Sequence, residues 1–186
     1  WDAKGEELTT EEIIDKISAL PDYKHIVITG GEPTISDGIF DLTNELKSLG
    51  YHITIETNGT NLNSFIKADL ISISPKLTHS VPEKTCFKEK HIKSMFNLDA
   101  IKQWIKKFDY QLKFVVSQIS DLAEIDEIIR KLGIKNNYEK IILMALGSNP
   151  EVLNQREKWI ITECIKYGYR FSPRLHITLF NDYDFC

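Results

Sequence analysis

Cysteine is scarce in this chain, with three among 186 residues, at Cys86, Cys164 and Cys186. An odd number at such wide intervals excludes a disulfide framework and leaves no closely spaced metal-binding group. Long apolar runs are missing too. No stretch approaches the roughly 20 residues that a membrane-spanning helix needs. The opening "WDAKGEELTT" lacks the basic-then-apolar order of a signal peptide. Positive charge is not in excess: 23 Lys and Arg stand against 27 Asp and Glu, a formal net charge of −4. That balance argues against broad non-specific binding to nucleic acid. Tandem repeats and low-complexity tracts are absent as well. The expectation is a cytoplasmic protein with free thiols and neither a membrane nor a nucleic-acid partner.

What the chain does have is alternation. Its residues are 42% hydrophobic, enough for one domain with a sizeable core. Thr9 with Glu12 forms a capping-box pattern ahead of Ile13, Ile14, Ile17 and Leu20, and Pro21 stops that helix. His25–Thr29 reads as a buried strand. Asp37 is placed to cap a helix through Ile39, Leu42, Leu46 and Leu49, ended by Gly50. Further strands are expected at His52–Glu56, Leu70–Ser74, Gln111–Val116 and Lys140–Met144, with a final extended segment beginning at Tyr169–Phe171. Helices are expected at Leu98–Phe108, Asp121–Leu132 and Pro150–Tyr167, and a short one around Leu62, Phe65 and Ile66. Residues 75–96 lack a period, and a loop of that length is usually functional or mobile. Strands separated by helices imply parallel β-α units with right-handed crossovers. About six units are visible, too few for a closed eight-stranded barrel, so an open doubly wound sheet or a partial (β/α) TIM-like barrel remains.

In parallel α/β folds, ligands sit beyond the carboxyl ends of the strands. Here those ends carry Thr29-Gly30-Gly31-Glu32-Pro33, then Glu56-Thr57-Asn58-Gly59, then Ser74-Pro75-Lys76, and finally Ser172, Pro173, Arg174 and His176. Each piece alone reads as an ordinary turn. Together they describe a cradle. Two glycines let a ligand approach the main chain, Glu32 can orient a cationic group, and Lys76 across the rim can hold an anionic one. Such a rim suits a zwitterion such as an amino acid.

These residues also carry a resemblance. "TGGEP" (29–33) resembles the glycine-rich motif by which radical S-adenosylmethionine enzymes hold the methionine moiety. Joined in order by "IETNGT" (55–60), "ISISPK" (71–76) and "RFSPRLHITLF" (170–180), it is most similar to the 7-carboxy-7-deazaguanine synthase family. The resemblance spans residues 29–180. It implies an α/β fold, a partial barrel, and three cofactors: S-adenosylmethionine, a [4Fe–4S] cluster and magnesium. It further implies a lyase that converts 6-carboxy-5,6,7,8-tetrahydropterin by hydrogen abstraction, ring contraction and loss of ammonia. By this resemblance Gly30, Gly31, Glu32, Asn58, Ser74 and Lys76 bind the cofactor. Thr29 and Glu56 lie where pterin and nucleoside meet, with Glu56 the catalytic candidate, and His176 holds the substrate carboxylate, with Arg174 beside it a further, weaker candidate for the substrate. The implied partners are the small pterin, an electron donor such as flavodoxin, and a second copy in a homodimer.

The sequence departs from that family in three places. The family's trio of closely spaced cysteines is missing, so we expect a single domain over 1–186 that is incomplete at its N-terminus, with the cluster ligands upstream of Trp1. "LMALG" (143–147) stands where relatives read Met-Pro-Glu-Gly, and "NDYDFC" (181–186) lacks the family's glycine-containing end. Two other readings remain: a radical-activating enzyme acting on a glycine of a partner protein, and a non-catalytic α/β module that binds a nucleoside or amino acid.

Overall fold

The computed structural model describes residues 5–80 and 97–180. Cys86, Cys186, the "NDYDFC" tail and most of the aperiodic stretch at 75–96 lie outside those residues. Six strands form one sheet: β1 (His25–Ile28), β2 (His52–Thr57), β3 (Leu70–Ile73), β4 (Asp109–Val116), β5 (Ile141–Ala145) and β6 (Arg170–Phe171). Every pair is parallel, and the spatial order is the chain order. That order decides between the two architectures. A doubly wound sheet reverses direction part way along. This one never does, so right-handed crossovers carry every connection over the same face. The sheet is a singly wound, open arc, in keeping with a partial (β/α) barrel.

The two faces differ in chemistry. Toward the helices point Ile53, Ile55, Ile71, Ile73, Leu112, Phe114, Val116, Ile141 and Leu143, all with essentially no exposure. The opposite face carries Thr54 and Glu56 on β2, Ser72 on β3, Gln111 and Lys113 on β4 and Arg170 on β6. A strand sandwiched between layers would be apolar on both sides. The strict alternation in β2 and β4 therefore marks one packed face and one polar face.

The helices are α1 (Thr10–Ser18), α2 (Ile39–Ser48), α3 (Leu98–Lys107), α4 (Asp121–Leu132), α5 (Pro150–Tyr167) and α6 (Leu175–Phe180). Thr9 and Glu12 close the expected capping box on α1, with Thr9 N donating to Glu12 Oε2 at 2.7 Å and Glu12 N donating to Thr9 Oγ1 at 3.2 Å. Gly133 and Gly168 end α4 and α5 in the left-handed conformation, as placed from the sequence. The helices seal the packed face with Ile39, Leu46, Ile101, Trp104, Ile125, Leu153 and Ile160.

Four local expectations are corrected. The first strand is not buried: β1 alternates exposed and half-buried residues, with Val27 58% exposed. Asp37 does not cap α2, whose N-cap is Gly38 without a side-chain hydrogen bond. Residues 62–66 form no helix: Ile66 is buried, but Phe65 is 72% exposed, so the segment has no continuous apolar stripe to pack. The final segment is not extended beyond Phe171. It turns at Pro173 into α6, which anchors itself by burying Ile177.

Candidate active site

The carboxyl ends of β1 and β2 interlock. Glu32 Oε1 accepts from Thr34 Oγ1 at 2.6 Å, Thr57 Oγ1 at 2.7 Å and Thr34 N at 3.2 Å. Its other oxygen accepts from Asn58 N at 2.8 Å. Asn61 Nδ2 returns the contact by donating to Thr34 O at 2.8 Å. The glutamate that the sequence offers to a ligand is thus a staple between two rim loops. Oε1 is saturated, whereas Oε2, with a single donor, keeps capacity for one more. Asn58 is likewise committed, its Oδ1 accepting from Thr60 N at 2.8 Å and Thr60 Oγ1 at 2.6 Å. Ser74 joins the same corner, its N–H donating to Thr57 O at 2.7 Å. Lys76 is exposed on the segment that follows, and Thr29 is exposed at the end of β1.

The glycines of this corner play different parts. Gly59 (φ +77°) is required by packing, since a Cβ there would sit 2.6 Å from Ile73 Cγ2 and 3.0 Å from Ile101 Cγ1. Gly30 has φ +149°, a conformation other residues rarely adopt. Gly31 has neither constraint. A Cβ built on it meets nothing within 4 Å, so a side chain there would enter open space beside the Glu32 staple. Open space beside bare main chain leaves room for the amino-acid end of S-adenosylmethionine.

Farther down the polar face, Glu56 is not a lone carboxylate. Lys113 Nζ stands 3.0 Å from Glu56 Oε1, with the two side chains 18% and 38% exposed. Beside them Gln111 Nε2 donates to Ser72 Oγ at 3.0 Å, and Arg170 donates to Gln111 Oε1 at 2.9 Å. Sequence reading missed Lys113, Gln111 and Arg170. The signal was present: Gln111 and Lys113 alternate with Leu112, Phe114 and Val116, which for a strand in a parallel sheet means one face is not packed.

Arg174 and His176 lie at the far side. Arg174 is half-buried, its Nε donating to Ala145 O at 3.1 Å past the end of β5, and His176 is exposed on α6. The sheet separates them from Thr29 by five strand spacings, about 24 Å measured along the arc. The structure therefore gathers Gly30, Gly31, Glu32, Asn58 and Ser74 into one corner, and leaves Arg174 and His176 at the opposite end of the same rim.

Metal and cluster ligands are another matter. Cys164 is the one cysteine among the described residues, buried on α5 with Sγ 3.4 Å from Arg170 O, and burial pushes its thiol up to about 11. A protonated, enclosed thiol does not hold iron. No group of three or more His, Cys, Asp or Glu side chains among the described residues could hold a metal ion. Among the described residues, the bare main chain at Gly31 leaves room for S-adenosylmethionine, whereas no thiol is placed to hold a [4Fe–4S] cluster. None of their helices is long and apolar enough to cross a membrane.

Comparison with known proteins agrees with this picture. The model of the radical SAM superfamily matches residues 1–110. A 7-carboxy-7-deazaguanine synthase from Halobacterium salinarum is 32% identical, over 98% of this chain and 75% of that protein. The enzyme of the same name from Rhodopirellula baltica is 35% identical, over 98% of this chain and 71% of its own length. Among solved structures, QueE from Escherichia coli superposes with a TM-score of 0.64 at 23% identity, over 90% of this chain and 64% of that one. Streptococcus suis SuiB bound to S-adenosylmethionine gives 0.51 at 14% identity, over 83% of this chain and 39% of that one. At such identities the two structures speak for the fold alone. With the sequence relatives and the superfamily match beside them, the chain belongs to the radical SAM superfamily and, within it, to the 7-carboxy-7-deazaguanine synthase family.

Proposed function

We propose that this chain is the core of an enzyme that converts 6-carboxy-5,6,7,8-tetrahydropterin to 7-carboxy-7-deazaguanine. The observation that carries the reading is the corner at Gly31, open to solvent and fixed by Glu32 to Thr57 and Asn58, the residues that follow Glu56. Bound at this corner, S-adenosylmethionine would supply the 5′-deoxyadenosyl radical for hydrogen abstraction. The chain's own residues bind and orient. Gly30 and Gly31 give the methionine end access to the main chain, Glu32 Oε2 receives its ammonium, and Lys76 meets its carboxylate. Asn58 and Ser74 complete that pocket, and Thr29 borders the meeting point of nucleoside and pterin. Glu56, on the polar face, is the group to hold or move a proton as the ring contracts and ammonia leaves. Arg174 and His176 give the distant pterin carboxylate its hydrogen-bond donors, and tethering Arg174 to Ala145 pre-organises that end.

The cluster, magnesium, a flavodoxin-type electron donor, a homodimer and a cytoplasmic location belong to the same reading. They rest on family membership and not on the described residues.

The test is substrate-dependent cleavage of S-adenosylmethionine by the reconstituted full-length protein. Formation of 5′-deoxyadenosine should rise at least tenfold with 6-carboxytetrahydropterin and stay at background with a glycine-containing peptide. The reverse preference would move the assignment to a radical-activating enzyme, and failure to bind S-adenosylmethionine would leave a binding module.

A further inference from the structure

The ion pair between Lys113 and Glu56 has an unusual path. Glu56 lies opposite Ser72, and Ser72 lies opposite Gln111, one pleat before Lys113. The two charges therefore come from β2 and β4 and meet across β3. Neighbouring strands are about 4.8 Å apart, so the gap is near 10 Å, and only a long side chain closes it. The residues that β3 places on this face between them are small, Ser72 and then Ser74 just past the strand end. Ser72 is fully buried and already spends its hydroxyl on Gln111. A bulkier residue at 72 would stand in the path of the lysine stem.

From this geometry we infer that Lys113 is the positioning residue of the site. Its ammonium, laid across the serine step in β3, fixes the Glu56 carboxylate on the polar face where the pterin is to lie. The inference rests on the reaction proposed above, with Glu56 touching the substrate. Lys113 is 18% exposed, against 38% for Glu56, so the lysine sits behind and the carboxylate in front. One of three ammonium donors and one of about four carboxylate lone-pair positions are used in the pair. Glu56 thus keeps most of its hydrogen-bonding capacity for a ligand while losing the freedom to swing away. Side chains that hold a reacting group within a fraction of an ångström carry large rate effects, about 100-fold for a 1 Å displacement.

The test uses the reconstituted full-length enzyme and four variants. Lys113→Met should lower kcat about 10- to 100-fold, leave S-adenosylmethionine affinity unchanged, and shift KM for the pterin less than about threefold. It should also raise the ratio of 5′-deoxyadenosine to 7-carboxy-7-deazaguanine, because radical formation outlives the lost alignment. Lys113→Arg keeps a long cationic stem and should recover most of kcat. The double variant Glu56→Gln/Lys113→Met should be no slower than Glu56→Gln alone, since the lysine acts through the glutamate. Wild-type kcat and product ratio in Lys113→Met would overturn the inference. So would multiplicative losses in the double variant, or an arginine variant as slow as the methionine one. A wild-type enzyme that cleaves S-adenosylmethionine but makes no 7-carboxy-7-deazaguanine overturns the reaction itself, which separates that failure from the failure of Lys113.

Discussion

Replacing Glu32 with alanine separates two roles that a glycine-rich motif can combine. If its carboxylate serves only the ligand, its loss weakens binding and leaves the free protein intact. The structure predicts otherwise. Four donors end on this one side chain: the hydroxyls of Thr34 and Thr57 and the main-chain N–H groups of Thr34 and Asn58. Thr34 is 1% exposed and Thr57 4%, so their hydroxyls cannot simply turn to water. A buried donor left without an acceptor costs about 1–3 kcal/mol. With water recovering the two main-chain donors at the half-buried rim, the net loss for Glu32→Ala is about 3 kcal/mol. For a domain of this size each kcal/mol lowers Tm by about 2–4 °C, so the shift should be roughly 6–12 °C. Glu32→Gln is a finer probe. An amide offers one oxygen where the carboxylate offers two, so either Asn58 N or Thr34 N must face an NH2 group, at about 1–2 kcal/mol. Thermal unfolding followed by circular dichroism, without ligand, reads both. The order wild type, Glu32→Gln, Glu32→Ala is expected. Wild-type Tm in Glu32→Ala, together with lost S-adenosylmethionine binding, would refute the staple.

Other consequences concern single sites on the same rim. Gly31→Val should abolish S-adenosylmethionine binding in calorimetry while shifting Tm by less than a few degrees, because its Cβ points into open space; unchanged affinity would reduce the motif to a turn. Gly59→Ala should do the opposite and lower stability by about 2 kcal/mol or more in denaturant titrations, since it adds both positive-φ strain and overlap with Ile73. Asp121 contributes to the acid limb of stability. Burial pushes its carboxyl up, but the N–H groups of Ser117 and Gln118, nearby His79 and the Ser117 hydroxyl outweigh that and hold it below the usual value. A depressed folded-state value adds stability that is complete above the unfolded carboxylate value, near pH 4, and is lost as pH falls through the lower folded one. Asp121→Asn should flatten that part of the stability profile below pH 4, and an unchanged profile would contradict the assignment.

Much of this molecule is legible in its sequence because its signals are local. The capping box at Thr9 and Glu12 and the glycines at 133 and 168 each settle a helix end through a hydrogen bond made within a few residues. What escaped depends on partners distant in the chain. Glu32 looks like a ligand group until Thr57 and Asn58 are brought against it from another strand end. Lys113 looks like a solvated strand residue until β3 proves narrow enough for it to reach Glu56. Helix α6 begins two residues after Pro173 in a segment that reads as extended, and it forms because Ile177 finds the core. The apolar pattern at 62–66 fails for the converse reason, with Phe65 left outside. That the candidate groups share one rim was legible, since the carboxyl ends of parallel strands follow from topology. Which of its groups are already spoken for was not, because hydrogen bonds across loops leave no trace in spacing.

The activity proposed for this chain is that of a 7-carboxy-7-deazaguanine synthase. Its most direct test takes the full-length protein, reconstituted anaerobically with iron and sulfide and supplied with reductant, magnesium, S-adenosylmethionine and 6-carboxytetrahydropterin. Mass spectrometry of the reaction should show 7-carboxy-7-deazaguanine appearing together with 5′-deoxyadenosine and ammonia. A sample with an assembled cluster that cleaves S-adenosylmethionine yet forms no deazaguanine would contradict the claim.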